Sequence, residues 1–151
     1  MGAFWSSTVV EFLHTDPVRR LSHLTHEQAL RFRSQQFQQL RAWESEISGL
    51  AAALLDMPEA ADWRLLLEFP LLRLGRRIDA VLVMPNGILV LEFKDTSFGH
   101  RAAHEQTEDY ALDLQDFHAA SRPVPTLIEA ARMLYSPPWR GGDRPGACRP
   151  A

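Results

Sequence analysis

Apolar residues recur every three or four positions between residues 33 and 55. Phe37, Leu40, Trp43, Ile47, Leu50 and Leu54 fall on one stripe, which predicts a long amphipathic helix. Gly49 is a mild flaw within it, and Pro58 lies just past its end. The period then shortens. Residues 63–71 form a short apolar run that reads as a strand, with Pro70 limiting its end. Residues 76–84 and 88–94 read as two more strands, separated by Pro85-Asn86-Gly87. Asn-Gly is a strong hairpin signal, because both residues tolerate positive φ. Helical spacing returns over residues 104–120, where Tyr110, Leu114 and Phe117 share a face and Ala111 and His118 flank it. Arg122-Pro123 ends that helix. Residues 124–130 read as a last strand, which Pro125 places near an edge or at a strand start.

The two ends are less regular. Residues 1–32 show no clear period. Ser6, Ser7 and Thr8 ahead of residues 9–13 suggest a short opening helix, and Asp16-Pro17 marks a break. From residue 136 the chain becomes rich in Pro, Gly and Arg and reads as a disordered tail. The expected organisation is one domain over 1–135 followed by that tail. Its order is helix, three strands in an antiparallel meander, helix, strand: an α/β fold with a central mixed sheet flanked by helices.

With Asn86-Gly87 as a two-residue loop, Pro85 pairs with Ile88 and Asp79 falls opposite Lys94. Asp79, Val81, Val83, Ile88, Val90, Glu92 and Lys94 then share one face, and Ala80, Leu82, Met84, Leu89, Leu91 and Phe93 the other. Both faces are apolar near the turn, so both are expected to be buried. Three ionisable groups nevertheless gather at the far end of one face. Asp79 and Glu92 become diagonal neighbours, roughly 7–8 Å apart at the backbone. Two buried carboxylates are costly unless neutralised, and oxygen donors suit Mg²⁺ or Mn²⁺. The plainer alternative is an ion pair between Asp79 and Lys94 with Glu92 solvated.

Composition sharpens this picture at one point. Of sixteen basic residues only Lys94 is lysine, the other fifteen being arginine. Lysine is a compact point charge whose pKa shifts readily, whereas arginine is a planar fork that stays charged. The formal charge of −3 means that any nucleic-acid binding needs a local basic patch. A single cysteine, Cys148, rules out a disulfide framework. No apolar run reaches membrane-spanning length and no secretory signal is seen, so a cytoplasmic protein without a membrane partner is expected.

Arg77-Ile78-Asp79, twelve intervening residues, then Glu92-Phe93-Lys94 resembles the PD-(D/E)xK nuclease motif, with Ile78 in place of the proline. The resemblance extends to Trp43, to Leu67-Glu68-Phe69-Pro70, to Gln106 with Asp109-Tyr110-Ala111-Leu112-Asp113-Leu114, and to Phe117-His118 with Ser121. Over roughly residues 4–130 the chain is similar to the N-terminal nuclease-like domain of prokaryotic nuclease–helicase proteins. This implies a restriction-endonuclease-like α-β-β-β-α-β core and a Mg²⁺- or Mn²⁺-dependent nuclease acting on DNA. By the resemblance, Asp79, Glu92 and the Phe93 carbonyl hold the metal, Lys94 orients or activates the attacking water, and Gln106 completes the site. A glutamate from the first long helix often joins such centres. Glu44 and Glu46 are both candidates, and Glu68 faces either the site or solvent. Arg73, Arg76, Arg77 and Arg101 are candidate phosphate contacts. His100, His104 and His118 do not make a zinc site on this reading. The relatives continue into a helicase motor, but no phosphate-binding loop occurs in this sequence. A helicase partner supplied elsewhere is therefore expected, with a non-catalytic DNA-binding module or a fragment of a larger protein as the alternatives.

Overall fold

The computed structural model describes residues 2–31, 37–93, 100–117 and 126–128, the side chains at 37–42, 100–104, 117 and 126–128 excepted. The chain opens with strand β1 (Trp5–Thr8), followed by helices α1 (Val9–His14), α2 (Pro17–Arg31) and α3 (Phe37–Leu55). A short 3₁₀ turn, Pro58–Ala60, leads into β2 (Arg64–Leu71), β3 (Arg76–Met84) and β4 (Gly87–Leu91). Helix α4 (His100–Phe117) and strand β5 (Thr126–Ile128) follow. The five strands lie in chain order in one sheet. Pairings from β1 to β4 are antiparallel, and β5 joins β4 in parallel. A parallel neighbour needs a long crossover, and α4 supplies it. From α3 onward the order is the expected helix, three strands, helix, strand.

The layers follow from the sequence stripes. Trp43, Ile47, Leu50 and Leu54 of α3 pack with Leu65, Leu67, Ala80, Leu82 and Leu91 on one side of the sheet. Tyr110, Ala111 and Leu114 of α4 pack with Ile78, Val81, Ile88 and Val90 on the other. The two-sided burial expected of the hairpin is therefore observed, with the expected sets of residues on each face. Gly49 is tolerated because the apolar stripe runs through Trp43, Ile47, Leu50 and Leu54 rather than through it.

The opening helix lies where the Ser-Ser-Thr signal put it, at Val9–His14, whereas β1 before it and α2 after it were not expected. Ser6, Ser7 and Thr8 belong to a strand, and the helix starts behind them at Val9. Thr8 closes a capping box with Glu11, its hydroxyl accepting from the Glu11 N–H while the Glu11 carboxylate accepts from Thr8 N–H. β1 is short, and its backbone pairs with β2 sixty residues on, which no local pattern can signal. Asp16-Pro17 is the start of α2. Asp16 Oδ1 accepts from the N–H groups of Val18 (2.9 Å) and Arg19 (3.2 Å), with Pro17 at the first helical position. Helix α2 escapes detection because, among its residues, only Arg20 and Leu24 are fully buried.

The hairpin register also differs. Met84 pairs with Gly87 and Ala80 with Leu91, so the loop is Pro85-Asn86. Neither Asn86 nor Gly87 has positive φ, so the mirror-image turn that Asn-Gly favours is not formed. Gly87 consequently enters the strand. The shift is by two residues in the pairing sum, so the faces are unchanged. Its effect is to bring Glu92, instead of Lys94, opposite Asp79. β4 ends at Leu91, short of the expected 94, and α4 begins at His100, ahead of the expected 104. Among the described residues no helix is long and apolar enough to cross a membrane. The tail from residue 136 lies outside the described residues.

Candidate active site

Asp79 and Glu92 stand where the β3–β4 ladder has just opened. The last pair is Ala80 with Leu91, and the next step of the same register sets Asp79 against Glu92. Side chains on directly opposed residues are closer than diagonal ones, so the carboxylates are nearer neighbours than the expected register implied. Beyond the ladder, Asp79 Oδ2 accepts a 2.7 Å hydrogen bond from the Phe93 N–H. That bond carries the strand onward from Leu91 and points the Phe93 ring toward the α3 side, where it packs on the core.

Gln106 reaches the pair from α4. Its Nε2 donates to Glu92 Oε1 at 2.8 Å and to the hydroxyl of buried Tyr110, one turn further along the helix. Residues four apart on a helix share a face, which is why a residue so placed before Tyr110 meets the sheet end. Glu92 is 5% exposed, so the amide serves as a neutral partner for a carboxylate with little access to water.

Two further carboxylates surround Asp79. Glu46, on α3, lines a small gap with Asp79, Glu68, Phe93 and Trp43. Glu44, two residues earlier, is exposed and points away. Of the two, Glu46 is the one beside Asp79; it is half-buried and follows Trp43 by three positions. Glu68, in the middle of β2, is 3% exposed. Its Oε1 accepts from Trp43 Nε1 at 2.6 Å, and its Oε2 faces Arg77 Nε at 3.1 Å. Arg77 in turn donates from Nη1 to Gln28 Oε1 at 2.7 Å and lies over the Phe4 ring. Glu68 thus faces inward, toward the site. A lone glutamate inside Leu65-Leu66-Leu67-Glu68-Phe69 was the sequence signal for this network; the contribution of Gln28 had none.

The electrostatics follow from this crowding. Asp79 is held well above the usual carboxylate range, first by burial, then by the charges of Glu92, Glu46 and Glu68, with the Phe93 N–H pulling the other way. Glu68 is raised by burial and by Glu92, against the opposing pull of Arg77 and the Trp43 N–H.

Among the described residues no group of three or more His, Cys, Asp or Glu side chains is placed to hold a metal ion. The donors present still suit one class of ion. Asp79 and Glu92 offer hard oxygens only, and their mutual repulsion is relieved by a cation between them. Mg²⁺ is commonly held by one or two carboxylates, keeping waters and substrate phosphate in its remaining positions.

The remaining expected residues divide into two sets. Arg76 is exposed at the start of β3 and borders a cleft of about 660 Å³ that also touches Asp79, Gln106, Tyr110 and Leu72. Arg73 faces Asp113 at 3.0 Å, turned toward α4. Lys94 and His118, and the side chains of His100, Arg101 and His104, lie outside the described residues. No protein-family model, no curated protein and no solved structure matches the chain.

Proposed function

We propose that the chain is a metal-dependent nuclease module hydrolysing DNA phosphodiester bonds on a restriction-endonuclease-like core. The observation that carries this reading is the meeting of Asp79, Glu92 and Gln106 at the open end of the β3–β4 hairpin. The residue types are those of the PD-(D/E)xK motif that the sequence resembles. The run α3-β2-β3-β4-α4-β5 is the element order that motif requires.

In this reading Asp79, Glu92 and the Phe93 carbonyl hold Mg²⁺ or Mn²⁺. The bound cation supplies positive charge to the scissile phosphate and lowers the pKa of an attacking water. The Phe93 N–H fixes one oxygen of Asp79. Gln106 fixes Glu92 in the same way through Oε1. Lys94 places an ammonium next to the phosphate and stabilises the negative charge that develops there. Arg76 anchors a neighbouring phosphate at the rim of the cleft. Glu46 is the helix-borne glutamate of the centre. A helicase motor, on a separate chain or a further segment, supplies the strand to be cut.

The experiment is cleavage of single-stranded, double-stranded and branched DNA with Mn²⁺, run beside Asp79→Ala and Lys94→Ala and in the presence of chelator. Metal-dependent cutting by the wild type, lost in both variants, is the expected result. Salt-dependent DNA binding without cutting in any divalent metal replaces it with the non-catalytic reading. Equal cutting in chelator removes the metal from the account.

A further inference from the structure

Glu68 has a backbone φ of 53° in the middle of β2, the one non-glycine residue with positive φ among those described. L-residues other than glycine, asparagine and aspartate adopt that conformation rarely, and it persists where surrounding contacts over-determine it. Two consequences are visible. The β2–β3 ladder pairs Leu67 with Ala80 and Phe69 with Ile78, but skips the pair between them, Glu68 with Asp79. The side-chain alternation also turns over at this point. Leu65 and Leu67 pack on the α3 side, whereas Leu71 and Phe69 pack on the α4 side. Regular pleating would leave all four on one face. On β3, Ala80 lies on the α3 side and Ile78 on the α4 side, which is the same reversal centred on Asp79.

We propose that Glu68 is the positioning residue of the Asp79–Glu92 centre, coupling the release of Asp79 from the ladder to the placement of α3. This rests on the functional reading above. The left-handed turn at Glu68 opens the sheet beside Asp79, and the Asp79 carboxylate bonds the Phe93 N–H there. The Glu68 carboxylate grips Trp43 on α3 and Arg77 on β3. Trp43 is three residues before Glu46, so the grip sets the rotation of α3 that turns Glu46, and not Glu44, toward Asp79. A glycine would make the same turn at no steric cost, but it would provide no tether. A β-branched residue would provide neither.

The test uses the whole chain and Mn²⁺ alone as probe, followed by titration calorimetry, with thermal melts to establish folding. Glu68→Gln keeps an acceptor for Trp43 and is expected to hold Mn²⁺ within about threefold of the wild type, since a neutral acceptor replaces a charged one. Glu68→Val opposes the left-handed backbone and is expected to weaken Mn²⁺ by about tenfold or more, with Glu68→Gly between the two. Trp43→Phe keeps an aromatic side chain on the buried stripe and removes the N–H together with the second ring of the indole, a packing loss that the melts register separately. It is expected to weaken Mn²⁺ by about threefold to tenfold while still folding, and so carries the test should the valine variant not fold. Unchanged affinity in folded Glu68→Val, or in Trp43→Phe, overturns the positioning role. A loss in Glu68→Gln as large as in Asp79→Ala overturns it as well, because Glu68 is then a ligand. A wild-type chain that takes up no Mn²⁺ overturns the metal reading itself, a result distinguishable from the other two.

Discussion

On the proposed reading Lys94 stabilises the negative charge that develops on the phosphate. Replacing it with alanine is expected to slow single-turnover cleavage by about 10²- to 10³-fold, as for loss of a group that stabilises developing charge, with the melting temperature nearly unchanged. Lys94→Arg should not restore the rate, because a planar fork does not deliver a point charge to the same place. Asp79 makes the complementary prediction on stability. Its carboxyl is held above the ordinary 3.8 by burial and by neighbouring carboxylates. Below that value both folded and unfolded chains are protonated and nothing is lost. As pH rises through it, the unfolded chain releases the proton first and the folded chain retains it. Metal-free stability therefore falls until the raised folded value is passed. Asp79→Asn should stabilise the metal-free protein at pH 7, and this gain should vanish near pH 3. Urea unfolding at the two pH values checks it. The nearness of Asp79 and Glu92 was legible in the sequence, because alternation along strands is a local rule, whereas Gln106 came to the site through the motif resemblance. That Asp79 faces Glu92 directly was not legible. The loop is Pro85-Asn86 and not the Asn86-Gly87 that the local signal favours, which moves the pairing by two residues.

At the scale of elements, α3, β2, β3, β4, α4 and β5 were all readable from period, and β1 and α2 were not. The strand β1 exists because β2 offers it an edge. Helix α2 packs through a narrow stripe of which the buried polar member, Arg20, lies over the Phe12 ring with Nε and Nη1 lacking a hydrogen-bond partner among the described residues. A buried cation so placed stabilises little. Arg20→Met is expected to be neutral or stabilising by about 1 kcal/mol in urea unfolding, since packing is kept and the desolvation cost removed. The opposite sign is expected at the α1 cap. Thr8→Ala removes the acceptor for the Glu11 N–H and should cost about 1 kcal/mol in the same measurement.

For the molecule as a whole, the sheet carries two packed faces whose sides exchange at Glu68, and the candidate centre sits where they exchange. With a net charge of −3 the proposed DNA binding would rest on local cations such as Arg76 at the rim of the cleft. Arg76→Ala should weaken DNA binding and lower the slope of log affinity against log salt by about one counterion, measured by fluorescence anisotropy over a salt series. Arg73→Ala should do neither, because its guanidinium faces Asp113. The most direct test of the centre is a crystal of the chain grown with Mn²⁺ and measured at an energy where manganese scatters anomalously. One peak is expected within about 2.2 Å of oxygens from both Asp79 and Glu92, with the Lys94 ammonium on the same side of the sheet. An ordered structure at high Mn²⁺ with no peak between those carboxylates, or with Lys94 on the opposite face, would contradict the proposed centre.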